Sequence, residues 1–138
     1  MYKRQIQTEG KKNGTLEENL RKDREVSDLQ RENFRKAHKA GVKMVFGTDA
    51  GVYPHGDNAR QFAWMVKYGM TPLEAIRAAT VNASEALARD DVGVLEKGRY
   101  ADLVAVKGDP LVDVKLLEDI PAVVKGGELV KGPAVPRP

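Results

Sequence analysis

Apolar side chains return every three to five positions in residues 25–40, at Val26, Leu29, Phe34 and Ala37, with Arg31, Glu32, Arg35 and Lys36 between them. That spacing predicts an amphipathic helix over 25–40. Gly41 follows, the residue suited to the left-handed position that closes a helix. An apolar run comes next, Val42 to Phe46, and predicts a strand at about 42–47. A helix joined to a strand through two residues is the αβ half of a βαβ unit. Upstream, residues 6–15 are polar and carry Gly10 and Gly14, a loop pattern, and residues 16–22 predict one short helix.

Beyond the strand, Pro54 and Gly56 keep residues 52–57 irregular. Asn58 is placed to cap a helix over 59–68 whose buried side is Phe62, Met65 and Val66. Trp64 beside that stripe is expected to pack rather than bind. Gly69 stops the helix, and Thr71-Pro72-Leu73-Glu74 restarts one. Thr71 caps, Pro72 takes the first helical position and Glu74 completes a capping box. This helix runs to about Ala79, and Asn82 or Ser84 opens another as far as Leu87. From Asp91 the pattern turns to short β-like pieces between glycines: 92–95, 103–106, and a hairpin in which Val123-Val124 and Leu129-Val130 flank Lys125-Gly126-Gly127-Glu128. Asp102 is expected to serve a turn. The pieces are too few to close a sandwich alone, so their edges call for further strands. The proline-rich end, 132–138, reads as a frayed tail.

Composition narrows the class. With 138 residues and 41% hydrophobic content the chain suits one globular domain or parts of two. The absence of cysteine excludes disulfides and thiolate metal sites. No stretch has the apolar length of a membrane span, so no membrane partner is expected, and the cytoplasm is the favoured address. Net charge is +3, and the excess lies in residues 1–40, with 11 Lys and Arg against 7 acids. Those charges alternate in sign without interleaved aromatics, which predicts a solvated helix face and no nucleic-acid partner.

The chemistry centres on Asp49. It follows the apolar run and sits between Gly47 and Gly51, so the backbone turns sharply where α/β barrels carry their catalytic residues. A carboxylate of this kind orients water and moves a proton. One carboxylate completes no mechanism, and the chain has only two histidines, His38 and His55.

Four blocks, in order, resemble the amidohydrolase superfamily in its imidazolonepropionase-like and prolidase-like (Xaa-Pro dipeptidase-like) branch. They are Val45-Phe46-Gly47-Thr48-Asp49-Ala50-Gly51, then Pro54-His55-Gly56, then Gly69-Met70-Thr71-Pro72-Leu73-Glu74-Ala75-Ile76-Arg77-Ala78-Ala79-Thr80, then Gly93-Val94-Leu95-Glu96-Lys97-Gly98-Arg99-Tyr100-Ala101-Asp102-Leu103-Val104. The resemblance implies an α/β fold: the C-terminal portion of a (β/α)8 TIM-like barrel, followed by short β strands of a composite β-sandwich. Residues 6–90 would be the barrel part, with its last strand at 42–47, and residues 91–138 the sandwich share and tail. It further implies a hydrolase acting on C–N bonds of a small-molecule or dipeptide substrate, such as an amide, cyclic amide or dipeptide. Its cofactor would be a divalent metal, zinc, as one or two ions. Asp49 would be metal contact and proton shuttle, and His55 a substrate contact.

The resemblance also exposes a gap. The family's His-x-His pair, bridging lysine and later histidines have no matching positions, and His38, on the helix before the strand, cannot replace them. The chain is therefore expected to be a fragment, inactive alone, of a parent that can be a homo-oligomer. Tyr2-Lys3-Arg4-Gln5 resembles a translated transposase adapter, which makes residues 1–5 a non-native start. The alternative function is a non-catalytic interaction module.

Overall fold

The computed structural model describes residues 17–50 and 56–133. The elements run α1 (Glu17–Lys39), a 3-10 turn (Asp57–Ala59), α2 (Arg60–Lys67), α3 (Pro72–Ala79), α4 (Val81–Ala86), β1 (Leu103–Ala105), a second 3-10 turn (Val114–Glu118), β2 (Ala122–Lys125) and β3 (Glu128–Lys131). The two helices expected over 16–22 and 25–40 are one. Charge pairs at helical spacing carry the polar stretch: Lys22 to Glu18 at 2.7 Å, Arg21 to Glu25 at 2.6 Å and Lys36 to Glu32 at 2.7 Å.

Helix ends follow from their closing residues. Gly41, at φ 74°, receives α1: its N–H donates to His38 O at 2.9 Å, and the Val42 N–H donates to Ala37 O at 3.0 Å. These two bonds are the Schellman closure. Gly69 ends α2 in the same way, with Met70 N–H on Met65 O at 3.2 Å and Gly69 N–H on Val66 O at 3.1 Å. Helix α4 closes with the same pair, Arg89 N–H to Ser84 O and Ala88 N–H to Glu85 O, yet its left-handed residue is Ala88, at φ 52°.

The core lies among the helices. Met65, Met70, Ala75 and Ala78 are buried, and Phe34 of α1, Phe62 and Val66 of α2, and Met44 and Phe46 of the apolar run pack against them. Alanine at 75 and 78 lets α3 approach its neighbours closely. On α1 only the carboxy-terminal half of the expected stripe is used, since Phe34 reaches the core while Val26 and Leu29 stay exposed.

The strand expected at 42–47 does not form. Among the described residues no segment runs beside it, and an extended run becomes a strand only through a ladder with a neighbour. The piece expected at 92–95 is a turn instead. Gly93 and Gly98 adopt positive φ, and the Tyr100 N–H closes the loop on Asp91 O at 2.9 Å. The hairpin does form. Gly126 and Gly127 both have positive φ, the requirement of a type I′ connection, and β2 pairs antiparallel with β1 and β3 in the order β1-β2-β3. This single three-stranded sheet shows neither a closed barrel nor a two-layer sandwich among the described residues. Asp102 serves the turn as expected, its Oδ1 accepting from Gly126 N–H at 2.6 Å.

Candidate active site

The run 42–50 leads to Asp49, and two hydrogen bonds to its backbone hold it. The Phe46 N–H donates to Ala78 O of α3 at 2.9 Å, and Met44 O accepts from Asn82 Nδ2 of α4 at 2.9 Å. Met44 and Phe46 face the core, where the Phe46 ring meets Phe62 at a centroid distance of 4.5 Å. Lys43 pairs with Glu85 of α4 at the start of the run. Past Phe46, Gln61 Nε2 of α2 reaches Gly47 O at 3.4 Å.

Asp49 follows in a special backbone conformation. It is exposed and left-handed at φ 48°, one of two non-glycine residues with positive φ among the described residues. Aspartate tolerates this region better than most side chains, at a strain of about 1 kcal/mol. The carboxylate is thus delivered to solvent at the tip of an anchored segment. His55, the expected substrate contact, lies outside the described residues.

Asn58 does not cap. The first turn after Gly56 is a 3-10 turn, the α-helix begins at Arg60, and no side chain caps either. The Asn58 Oδ1 is instead buried without a hydrogen-bond donor among the described residues. Trp64 packs as expected, half-buried and stacked on Tyr68 at 5.7 Å, with Lys67 over Trp64 and Arg35 over Tyr68.

His38 lies elsewhere, in the last turn of α1, with Nε2 3.4 Å from Glu74 Oε1. Glu74 Oε2 accepts from the Thr71 N–H at 2.7 Å and the Thr71 hydroxyl at 2.9 Å. That backbone N–H, with the hydroxyl and then His38, holds the Glu74 carboxyl below the usual carboxylate range. The capping box therefore also docks α1.

Among the described residues no group of three or more His, Cys, Asp or Glu side chains is placed to hold an ion. A zinc site takes three protein ligands at least, so these residues alone do not fit a catalytic metal.

A family model described as "Amidohydrolase family" matches residues 3–130. The chain belongs to the amidohydrolase family. It is 38% identical over 128 residues to an ochratoxinase of Aspergillus niger, a match covering 88% of this chain and 26% of that protein. Among solved structures, a Xaa-Pro dipeptidase with methionine in its active site superposes with a TM-score of 0.78 at 43% identity, over 82% of this chain and 28% of the other. A prolidase complexed with N-methylphosphonate-L-proline superposes with a TM-score of 0.86 at 31% identity, over 95% and 33%. The chain thus spans between a quarter and a third of the length of these relatives. Amidohydrolases are generally divalent-metal dependent, and their neighbours' folds are of the TIM-barrel type.

Asn82 is the residue that sequence reading missed. It was expected to open a helix, but Thr80 precedes the first turn and Asn82 sits inside it with its amide turned across to Met44. An amide in a first turn that neither caps nor faces an obvious charge was the available signal.

Proposed function

We propose that this chain is the part of an amidohydrolase that supplies its final catalytic carboxylate, Asp49, for hydrolysis of a C–N bond in a dipeptide, N-acyl amino acid or cyclic amide. The observation that carries this reading is the delivery of Asp49. The matched motif contains an exposed, left-handed aspartate, and the segment before it is tied by its backbone to α3 and α4.

In this role the Asp49 carboxylate orients the attacking water, takes its proton and passes it to the departing nitrogen, serving as base and then acid. A divalent ion, zinc on the family resemblance, supplies water activation when bound. Asp49 would be one contact to that ion, the described residues supply no further group of ligands, and the isolated chain is inactive. His55, two residues before Asp57, is a substrate contact in this proposal. The buried Asn58 Oδ1 supports a binding role for the loop after Asp49, because an unmatched buried acceptor is costly and calls for a donor.

The test is a chimera. This sequence replaces the matching carboxy-terminal part of the Xaa-Pro dipeptidase to which it is 43% identical. Hydrolysis of Xaa-Pro dipeptides that persists in the chimera and disappears with a chelator is the expected result. A folded, metal-loaded chimera with no activity on dipeptides, N-acyl amino acids or cyclic amides contradicts the reading and favours a non-catalytic interaction module.

A further inference from the structure

Asn82 joins two parts of the chain that sequence places 38 positions apart. Its Nδ2 donates to Met44 O at 2.9 Å from a half-buried position in the first turn of α4. Asparagine near a helix start ordinarily satisfies a backbone group of its own turn. Here it leaves that turn and anchors the run leading to Asp49. The second anchor, Phe46 N–H on Ala78 O, lies two residues further along. Together they fix the segment on alternate residues whose side chains both enter the core. Beyond Phe46, Gln61 Nε2 adds a longer contact to Gly47 O at 3.4 Å.

The strained backbone at Asp49 gives this anchoring its meaning. A left-handed aspartate persists where the surrounding structure over-determines it, and the run before it has no strand partner to do so among the described residues. We infer that Asn82 is a positioning residue: its amide sets where residues 44–46 lie against α4, and so where the left-handed backbone of Asp49 presents its carboxylate. The inference rests on Asp49 being the working carboxylate of the proposed hydrolase. Its own content, however, is the place of Asp49 in the folded chain.

Solution NMR of the chain reads that place directly. With Asn82→Ala, the amide signals of Gly47, Thr48 and Asp49 and the side-chain carboxyl carbon of Asp49 shift, and amide exchange at Phe46 rises about tenfold. Val114→Ala serves as the control. It opens space at the buried Val114 beside α2, lowers stability globally and leaves the Asp49 signals in place. Asn82→Asp keeps the shape but at neutral pH presents a carboxylate, which cannot donate to Met44 O. It reproduces the Asn82→Ala shifts, and acidification to about pH 3.5 restores a donor and moves the signals back toward the parent chain at the same pH. This variant also serves if Asn82→Ala does not fold. Asp49 signals unmoved in either folded Asn82 variant, or moved equally by Val114→Ala, overturn the inference. Because no arm depends on hydrolysis, an inactive chimera defeats the functional proposal without touching this one.

Discussion

The helical layer and the β-sheet differ in how their apolar residues are used. In the layer, Met65 is 4% exposed, and Ala75 and Ala78 are fully buried. In the sheet, Val104 is 49% exposed, Leu129 44% and Val130 59%, although the strands are equally apolar. Local sequence built the strands, but residues outside the described structure would have to cover them. The helices, by contrast, enclose a core of their own, because α2, α3 and the run 42–46 converge on the two alanines of α3. This contrast teaches that the buried core lies among the helices, and the segment leading to Asp49 packs into it.

Paired truncations break the comparison most sharply. Met65→Ala is expected to cost about 2–5 kcal/mol, while Leu129→Ala costs under about 1 kcal/mol in the same chain. Urea unfolding monitored by Trp64 fluorescence checks both, and equal losses contradict the distinction. Next in size is the junction between the regions. A Cβ added at Gly93 would lie 2.8 Å from Ser84 Oγ and 3.0 Å from Thr80 O, at a φ of 89°. Gly93→Ala should therefore cost about 1–3 kcal/mol, read as a lower melting temperature with α4 losing protection first in hydrogen exchange.

The capping box sharpens the picture inside the helical layer. Thr71→Ala is expected to cost about 1 kcal/mol. Because the folded Glu74 carboxyl titrates below its ordinary value of 4.5, its contribution is complete above about pH 4.5 and is lost as pH falls through the lowered folded value. Glu74→Gln should flatten that acid limb in thermal melts between pH 5 and about pH 3, and an unchanged slope contradicts the assignment. The smallest effect has the opposite sign. Ala88→Gly relieves a left-handed alanine and should stabilise the chain by about 0.5–1 kcal/mol.

Legibility in the sequence followed the range of the interactions. Gly41, Gly69 and the Thr71–Glu74 box were readable because a helix end is decided within a few residues. The Gly126-Gly127 hairpin was readable for the same reason. The strand at 42–47 was not, because its apolar run reports burial while the ladder that makes a strand depends on a neighbour far away in sequence. The break expected near Asp23 failed because alternating charges sustain a helix without an apolar stripe. The motif singled out Asp49, while its left-handed backbone and the bond from the Asn82 amide to Met44 O emerge only from the packed structure.

The central claim is that Asp49 works at the mouth of an amidohydrolase site. It is tested by kcat of the chimera bearing Asp49→Asn, a change that keeps shape and removes the ability to take a proton. A fall in kcat of about 10²–10⁴ with KM little changed and metal content unaltered is the predicted result. A kcat equal to that of the unsubstituted chimera contradicts the claim.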